Sequence, residues 1–159
     1  MIVNMIVDLA AASFETPDES TVLTAAGVSL VGREGAGPDD VDWIRRTFHG
    51  KWHEEAAAGW NWFARAALGP VGFAAYAQRS FRFWWLEKWW DREDVGIFGP
   101  MGVDRKMRGQ HLGVVLARRA LGSLKAMGYA RALIPAVGPI EFYEKYCYAQ
   151  VVERLEGRP

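Results

Sequence analysis

The sequence predicts an α+β domain, and three observations carry that prediction. Segments of strand character and of helical spacing occur in mixed order along the chain. A strand–turn–helix–strand unit, DVGIFGPMGVD to ARALIPAV, stands in the middle. The 159 residues, half of them apolar and 24% charged, suit one soluble globular domain with a full core.

Taken in order, the chain opens on MIVNMIVDL, which could be a strand, followed by ETPDES, which reads as a loop. Residues 1–27 therefore read as an N-terminal extension or linker-like segment, with the folded domain expected over 28–159. VLTAAGVSLVGRE suggests a strand near Val28–Gly32. GAGPDD turns into a helix whose first turn carries Pro38 and two acids, where carboxylates suit the positive helix end, and Val41, Ile44 and Phe48 keep helical spacing. The alanine-rich HEEAAAGWNWFARAAL predicts a second helix, closed by Gly69-Pro70.

VGFAAYAQ reads as a strand over Val71–Gln78. The next segment, RSFRFWWLEKWWDRED, holds two tryptophan pairs, Trp84-Trp85 and Trp89-Trp90. DVGIFGPMGVD is a nearly continuous apolar strand of the kind covered on both faces. Leu112, Val115, Leu116, Ala120, Leu121 and Leu124 then recur at helical spacing, with Gly128 as the expected stop. ARALIPAV is another strand, PIEFYEKY a short helix and AQVVERL a last strand.

Composition excludes several classes. Lys plus Arg equal Asp plus Glu at 19 each, and this neutrality argues against general nucleic-acid and membrane-surface binding, which lean on surplus positive charge. No apolar run is long enough to span a bilayer, and the opening residues lack the basic leader of a signal peptide. One cysteine, Cys147, excludes an intrachain disulfide framework and a cysteine-rich metal site. A cytoplasmic protein is the expectation.

The turn after the apolar strand is the most informative stretch. Arg105, Lys106 and Arg108 gather at the start of a helix, with Gly109 and Gly113 among them. A helix N-terminus offers unpaired N–H groups and the positive end of its dipole, and arginine donates a fork that suits phosphate oxygens. Neither GxGxxG nor GxxxxGK[ST] is present. The pattern is Arg-x-x-[Gly]-x-Gly over Arg108, Gly109, Gln110, His111, Leu112 and Gly113, and it suits a pyrophosphate.

In this setting the sequence resembles the GNAT acyltransferase superfamily, most strongly from Gly96 to Lys145. The resemblance implies a GNAT-like fold, with a central mixed, mostly antiparallel sheet that splays near the cofactor turn and is flanked by helices. It implies acetyl-CoA as cosubstrate, its pyrophosphate held by Arg108–Gly113 and its pantetheine arm paired with Met101, Gly102 and Val103. FYEK matches a motif whose tyrosine serves as general acid, which assigns that role to Tyr143. The implied reaction moves an acetyl group to a primary amine by direct attack, with no metal required.

Three departures stand out: His111 where the family usually has glycine, YEKYCYA where a glycine follows the tyrosine, and IPAVGPIE in place of an asparagine before the last helix. His111 is strained there if the position needs a positive φ. By residue type alone, Glu55, His53 and Glu141 are candidates for the general base. His49 and His53 stand four apart, a spacing that can bind zinc on a helix, although Gly50 and the absence of cysteine ligands oppose it. Cys147 reads as a small buried residue rather than a nucleophile.

The aromatic segment Phe81–Trp90 either lines an acceptor pocket or packs against the core or a second subunit, with packing slightly favoured, so a homodimer is an expectation. Two rival functions follow: a non-catalytic acyl-CoA-binding domain, and an interaction domain assembled through the tryptophans. A small-molecule or peptide amine is the expected acceptor. The opening residues also raise the expectation of a longer, two-lobed relative.

Overall fold

The computed structural model of the chain describes residues 2–78, 83–89 and 91–155; Phe81 and Trp90 of the aromatic segment lie outside them. Seven strands form the sheet: β1 (Ile2–Asp8), β2 (Ser29–Glu34), β3 (Trp60–Ala66), β4 (Gly69–Tyr76), β5 (Val95–Val103), β6 (Arg131–Val137) and β7 (Gln150–Leu155). Their spatial order is β2-β3-β4-β5-β6-β1-β7. Only the β5–β6 contact is parallel; the other neighbours run antiparallel.

Alternation along the strands sorts the helices onto two faces. Phe63 and Phe73 point to one side, where α2 (Pro38–Thr47) and α3 (Trp52–Ala58) cover them with Trp43, Ile44 and Ala56. Ala64 and Ala74 point to the other side, beneath α4 (Leu112–Ala126), whose apolar stripe from Leu112 to Leu124 is buried as its spacing predicts. At Gly72 an added Cβ would sit 2.9 Å from Leu116, so the glycine lets α4 lie close to the sheet. The buried Asp40 of α2 is tied to Arg65 of β3 at 2.7 Å, which pins this helix over the sheet.

Three expectations are corrected. The segment expected to be one long helix from His53 divides at Gly59: α3 ends there, and Trp60–Ala66 is strand β3, paired with β2 and β4. Alanine propensity favours helix, but burying Phe63 and Ala64 on opposite faces of a sheet wins, because tertiary packing overrides weak propensities. The expected ETPDES loop runs into α1 (Glu19–Ala26), which buries no residue of its own. That helix is held to α4 by Arg119, which donates to both carboxylate oxygens of Glu19 at 2.7 and 2.8 Å.

The third correction concerns residues 1–27. Ile2–Asp8 is no linker: β1 lies inside the sheet between β6 and β7, with Val3, Met5 and Val7 in the core. Its nearly continuous apolar run is what a strand covered on both faces requires, with Val3, Met5 and Val7 in one core and Ile6 against another.

The sheet opens in its middle. β5 and β6 pair through Val95↔Arg131, Gly96↔Ala132 and Ile97↔Leu133, and then part. Two residues past the last pair, the register of each strand with its outer neighbour breaks. Gly99 and Pro100 loop out of the β4–β5 register between Phe98 and Met101. Pro135 and Ala136 do the same between Ile134 and Val137, opposite Asn4 of β1. Proline cannot donate to a ladder, and bulges bend strands, so each strand turns toward its outer neighbour and the expected splay results.

The remaining helix, α5 (Ile140–Cys147), follows β6 and packs on α4.

Candidate cofactor and acceptor cleft

The parted strands enclose a cavity of about 660 Å³. β5 from Phe98 to Val103 forms one wall and β6 with its following loop, Ile134–Pro139, forms the other. A second cavity of about 290 Å³ lies over the turn into α4 and shares Val103, Arg108, Gly113 and Phe142 with the first. The two together make a path from the basic turn to the interior of the sheet.

At the turn, six consecutive backbone N–H groups, those of Gly109, Gln110, His111, Leu112, Gly113 and Val114, donate to no acceptor among the described residues. About four such groups are normal at a helix start; Gly109 and Gln110 extend the row. The preceding turn is held by Asp104, whose carboxylate accepts from the Lys106 N–H at 3.0 Å. The Arg108 Nε donates to the Val103 carbonyl at 3.4 Å, so this side chain leans back over the end of β5. Open space stands over Gly109, and an added Cβ at Gly113 would meet nothing closer than 3.7 Å. A row of N–H groups without acceptors, with open space over Gly109 and an arginine beside it, fits a pyrophosphate.

The nine residues expected to bind the cofactor are distributed along this path. Met101 and Gly102 line the larger cavity, Gly109, His111 and Leu112 the smaller, and Val103, Arg108 and Gly113 both. Gln110 lines neither; its amide rests on the Met107 sulfur at 3.9 Å. The Leu112 side chain is buried in the core, which leaves its backbone for the ligand. Gly102 is glycine for another reason: a Cβ there would collide with the Phe48 ring.

His111 has φ 63° and ψ 15°, so the position does need the left-handed conformation. Its side chain is exposed, and the histidine carries the strain that glycine would avoid.

Tyr143 stands on the cavity wall, edge-on to Phe98 with ring centroids 5.9 Å apart. No described residue hydrogen-bonds its hydroxyl. Burial lifts its pKa well above the usual tyrosine range, so the proton stays on at neutral pH.

Of the three residues named as bases by type, only Glu55 reaches the cleft. Burial, with the Glu54 charge adding to it, pushes the Glu55 carboxyl up to about 7. Glu141 is exposed on α5, and His53 lies outside the lining. His49 sits in the turn between α2 and α3 while His53 is on α3, so the pair does not share a helix. Among the described residues, no group of three or more metal-ligating side chains gathers. The Cys147 thiol is fully buried, and burial pushes it up to about 12.

The aromatic segment divides between its two expected roles. Leu86 and Trp89 pack with Val95, Ile97 and Leu133 in a core of their own. Trp85, stacked on Phe83 with centroids 4.5 Å apart, lines the cleft, as does Trp52 of α3.

Asn4 is a residue that sequence reasoning missed. Fully buried at the β1 bulge, it accepts from the Ala136 N–H at 3.0 Å. Its amide donates to the Trp85 carbonyl and to Glu153 Oε1, each at 2.8 Å. One side chain therefore anchors both the bulged wall of β6, where Ala136 takes φ 53°, and the tryptophan of the aromatic segment. An asparagine inside an otherwise apolar strand was the signal available in MIVNMIVDL.

No helix among the described residues is long and apolar enough to cross a membrane. No protein-family model and no curated protein matches the chain. Solved structures do. The chain resembles the glucosamine N-acetyltransferase region of a fungal multi-domain GH3 β-N-acetylglucosaminidase at 15% identity and TM-score 0.71, over 96% of this chain and 20% of that one. It resembles a GNAT-family acetyltransferase of Novosphingobium aromaticivorans at 16% and 0.64, over 96% and 60%. A GNAT-family acetyltransferase of Brucella melitensis in complex with acetyl-CoA aligns at 17% and 0.55, over 82% and 92%. The chain thus spans a fifth to three fifths of the first two. At such identities the likeness speaks for architecture, and the architecture is plain: this chain has the GNAT acyltransferase fold.

Proposed function

We propose that the protein is an N-acetyltransferase that moves an acetyl group from acetyl-CoA to a primary amine. The observation that carries this reading is the row of six unpaired N–H groups, Gly109 to Val114, opening onto a cleft that holds both a carboxyl near neutral pKa and a protonated tyrosine. Arg108 and the N–H row hold the pyrophosphate; Met101, Gly102 and Val103 flank the pantetheine arm. When bound, acetyl-CoA supplies the activated acetyl group: a C–N bond forms to the amine as the C–S bond breaks.

Glu55 takes the ammonium proton that must leave before the amine can attack, and a pKa near 7 suits a base at neutral pH. The Tyr143 hydroxyl donates to the departing sulfur. Because burial raises its pKa, Tyr143 holds its proton more firmly than a thiol does, so its share is a hydrogen bond to the developing thiolate, with protonation completed from solvent.

The test is calorimetric titration with acetyl-CoA, followed by thiol release across an amine panel. Binding with turnover supports the reading. Binding without turnover leaves an acyl-CoA-binding domain, and a folded protein that binds no acetyl-CoA sinks the proposal.

A further inference from the structure

The acceptor end of the cleft has a composition that selects among amines. Resting on the acetyl-transfer reading, we propose that the acceptor is a primary amine carried on a flat apolar body, an arylalkylamine or a close analogue, and not a sugar amine or a polyamine.

Among the described residues, Glu55 and Arg108 are the charged side chains of the cleft wall, and Arg108 belongs to the pyrophosphate end. Among the described residues, no serine, threonine, asparagine, glutamine or aspartate lines it. A sugar amine would bring several hydroxyls into this space with no side-chain amide or hydroxyl besides Tyr143 to meet them, and unpaired buried polar groups are costly. A polyamine would bring a second ammonium with no second carboxylate among the described lining residues. One amine, one carboxylate and an apolar remainder is the match.

The walls also set the shape. Trp52 and Trp85 contribute indoles from separate elements, and Phe98 of β5 lines the same cleft. Both indoles are fixed without a ligand. Trp52 packs on Phe48 and Phe73 with centroids 5.1 and 6.2 Å away. Trp85 is stacked on Phe83 with an interplanar angle of 8°, and its carbonyl is held by Asn4 at 2.8 Å. Rigid aromatic walls lose little entropy when a flat ligand binds. Glu55 lies one helical turn from Trp52 on α3, so the carboxyl and this indole share a helix face.

The test measures binding and turnover separately, so that the ligand class and the reaction can fail independently. Calorimetry of the CoA-loaded protein with 2-phenylethylamine, glucosamine and putrescine should rank 2-phenylethylamine first by about tenfold or more. Trp85→Ala should remove that advantage while leaving acetyl-CoA affinity within about twofold, and Trp85→Phe should keep most of it. Equal or tighter binding of glucosamine or putrescine overturns the proposal, as does CoA-loaded protein that binds none of the three. An unchanged ranking in folded Trp85→Ala overturns the assigned wall. Preferential binding of 2-phenylethylamine without thiol release supports the ligand class and sinks the transfer reading instead.

Discussion

The two ends of the cleft, one proposed for the pyrophosphate and one for the acceptor amine, are built from different materials. The pyrophosphate end is made of backbone: consecutive N–H groups from Gly109 to Val114, one arginine and open space. The acceptor end is made of side chains from separate elements, Glu55 and Trp52 on α3, Trp85 in its 3-10 turn, Phe98 on β5 and Tyr143 on α5. A backbone-built site tolerates substitution wherever the φ angle survives. A side-chain-built site depends on each group and on what holds it. Variation should therefore hurt the second end more than the first.

The sharpest test of that contrast is Glu55→Gln. It should lower kcat by about 10²–10⁴-fold and remove the rise in rate with pH that is centred near 7 in the wild type, with acetyl-CoA affinity unchanged. Stability should move the other way. The folded-state pKa of Glu55 lies above the ordinary 4.5, so its contribution is fully present below about 4.5 and is lost as pH climbs through about 7. Thermal unfolding at pH 8 should then show Glu55→Gln to be more stable than wild type. Equal activity of the variant would leave the acceptor end without its base.

Arg108→Glu probes the other end, where it touches the one side chain that the backbone row relies on. It should weaken acetyl-CoA by about 100-fold in calorimetry, because a charge-assisted donor is replaced by a repelling carboxylate. Tyr143→Phe should lower kcat by about tenfold and leave acetyl-CoA affinity alone, since it deletes one hydrogen bond to sulfur. A loss as large as that of Glu55→Gln would mean full proton transfer from the hydroxyl.

The smallest effect belongs to His111→Gly. Relief of the left-handed strain at φ 63° should raise stability by about 1 kcal/mol or less in denaturant melts, with affinity within about twofold of wild type. A large loss of affinity would show that the imidazole itself holds the ligand, and would break the contrast between the two ends.

The same contrast governs what could be read from the sequence. Arg108 to Gly113 is one contiguous stretch after one strand, so local pattern sufficed. The splay was expected, but its cause was not: Gly99-Pro100 and Pro135-Ala136 are separated in sequence by the basic turn and α4, and the equal offset of these two bulged pairs from Ile97↔Leu133 needs the register. Glu55 was visible only by residue type, since nothing in HEEAAAGWNWF shows which of two adjacent acids faces a cavity. Reading that stretch as helix also hid β3, because alanines score for helix whatever they pack against. Asn4 is the extreme case. Its partners Trp85, Ala136 and Glu153 are 81 to 149 residues away.

The interior position of β1 has a consequence for how the protein folds. β1 finds its partners only in β6 and β7, whose residues follow it by more than a hundred, through pairs such as Asp8↔Arg131 and Ile2↔Leu155. During synthesis this apolar strand is made well before β6 and β7 and stays unpaired until they follow. Closing so long a loop delays pairing, and high contact order slows folding. β3 and β4, joined by a tight hairpin, can form early, and β2 joins them from across α2 and α3. Until β1 docks, Asn4 is not opposite Ala136, and the wall of the acceptor end has no anchor. The two proposed binding ends of the cleft should thus be completed at different stages of folding, the acceptor end only when β1 has met β6 and β7.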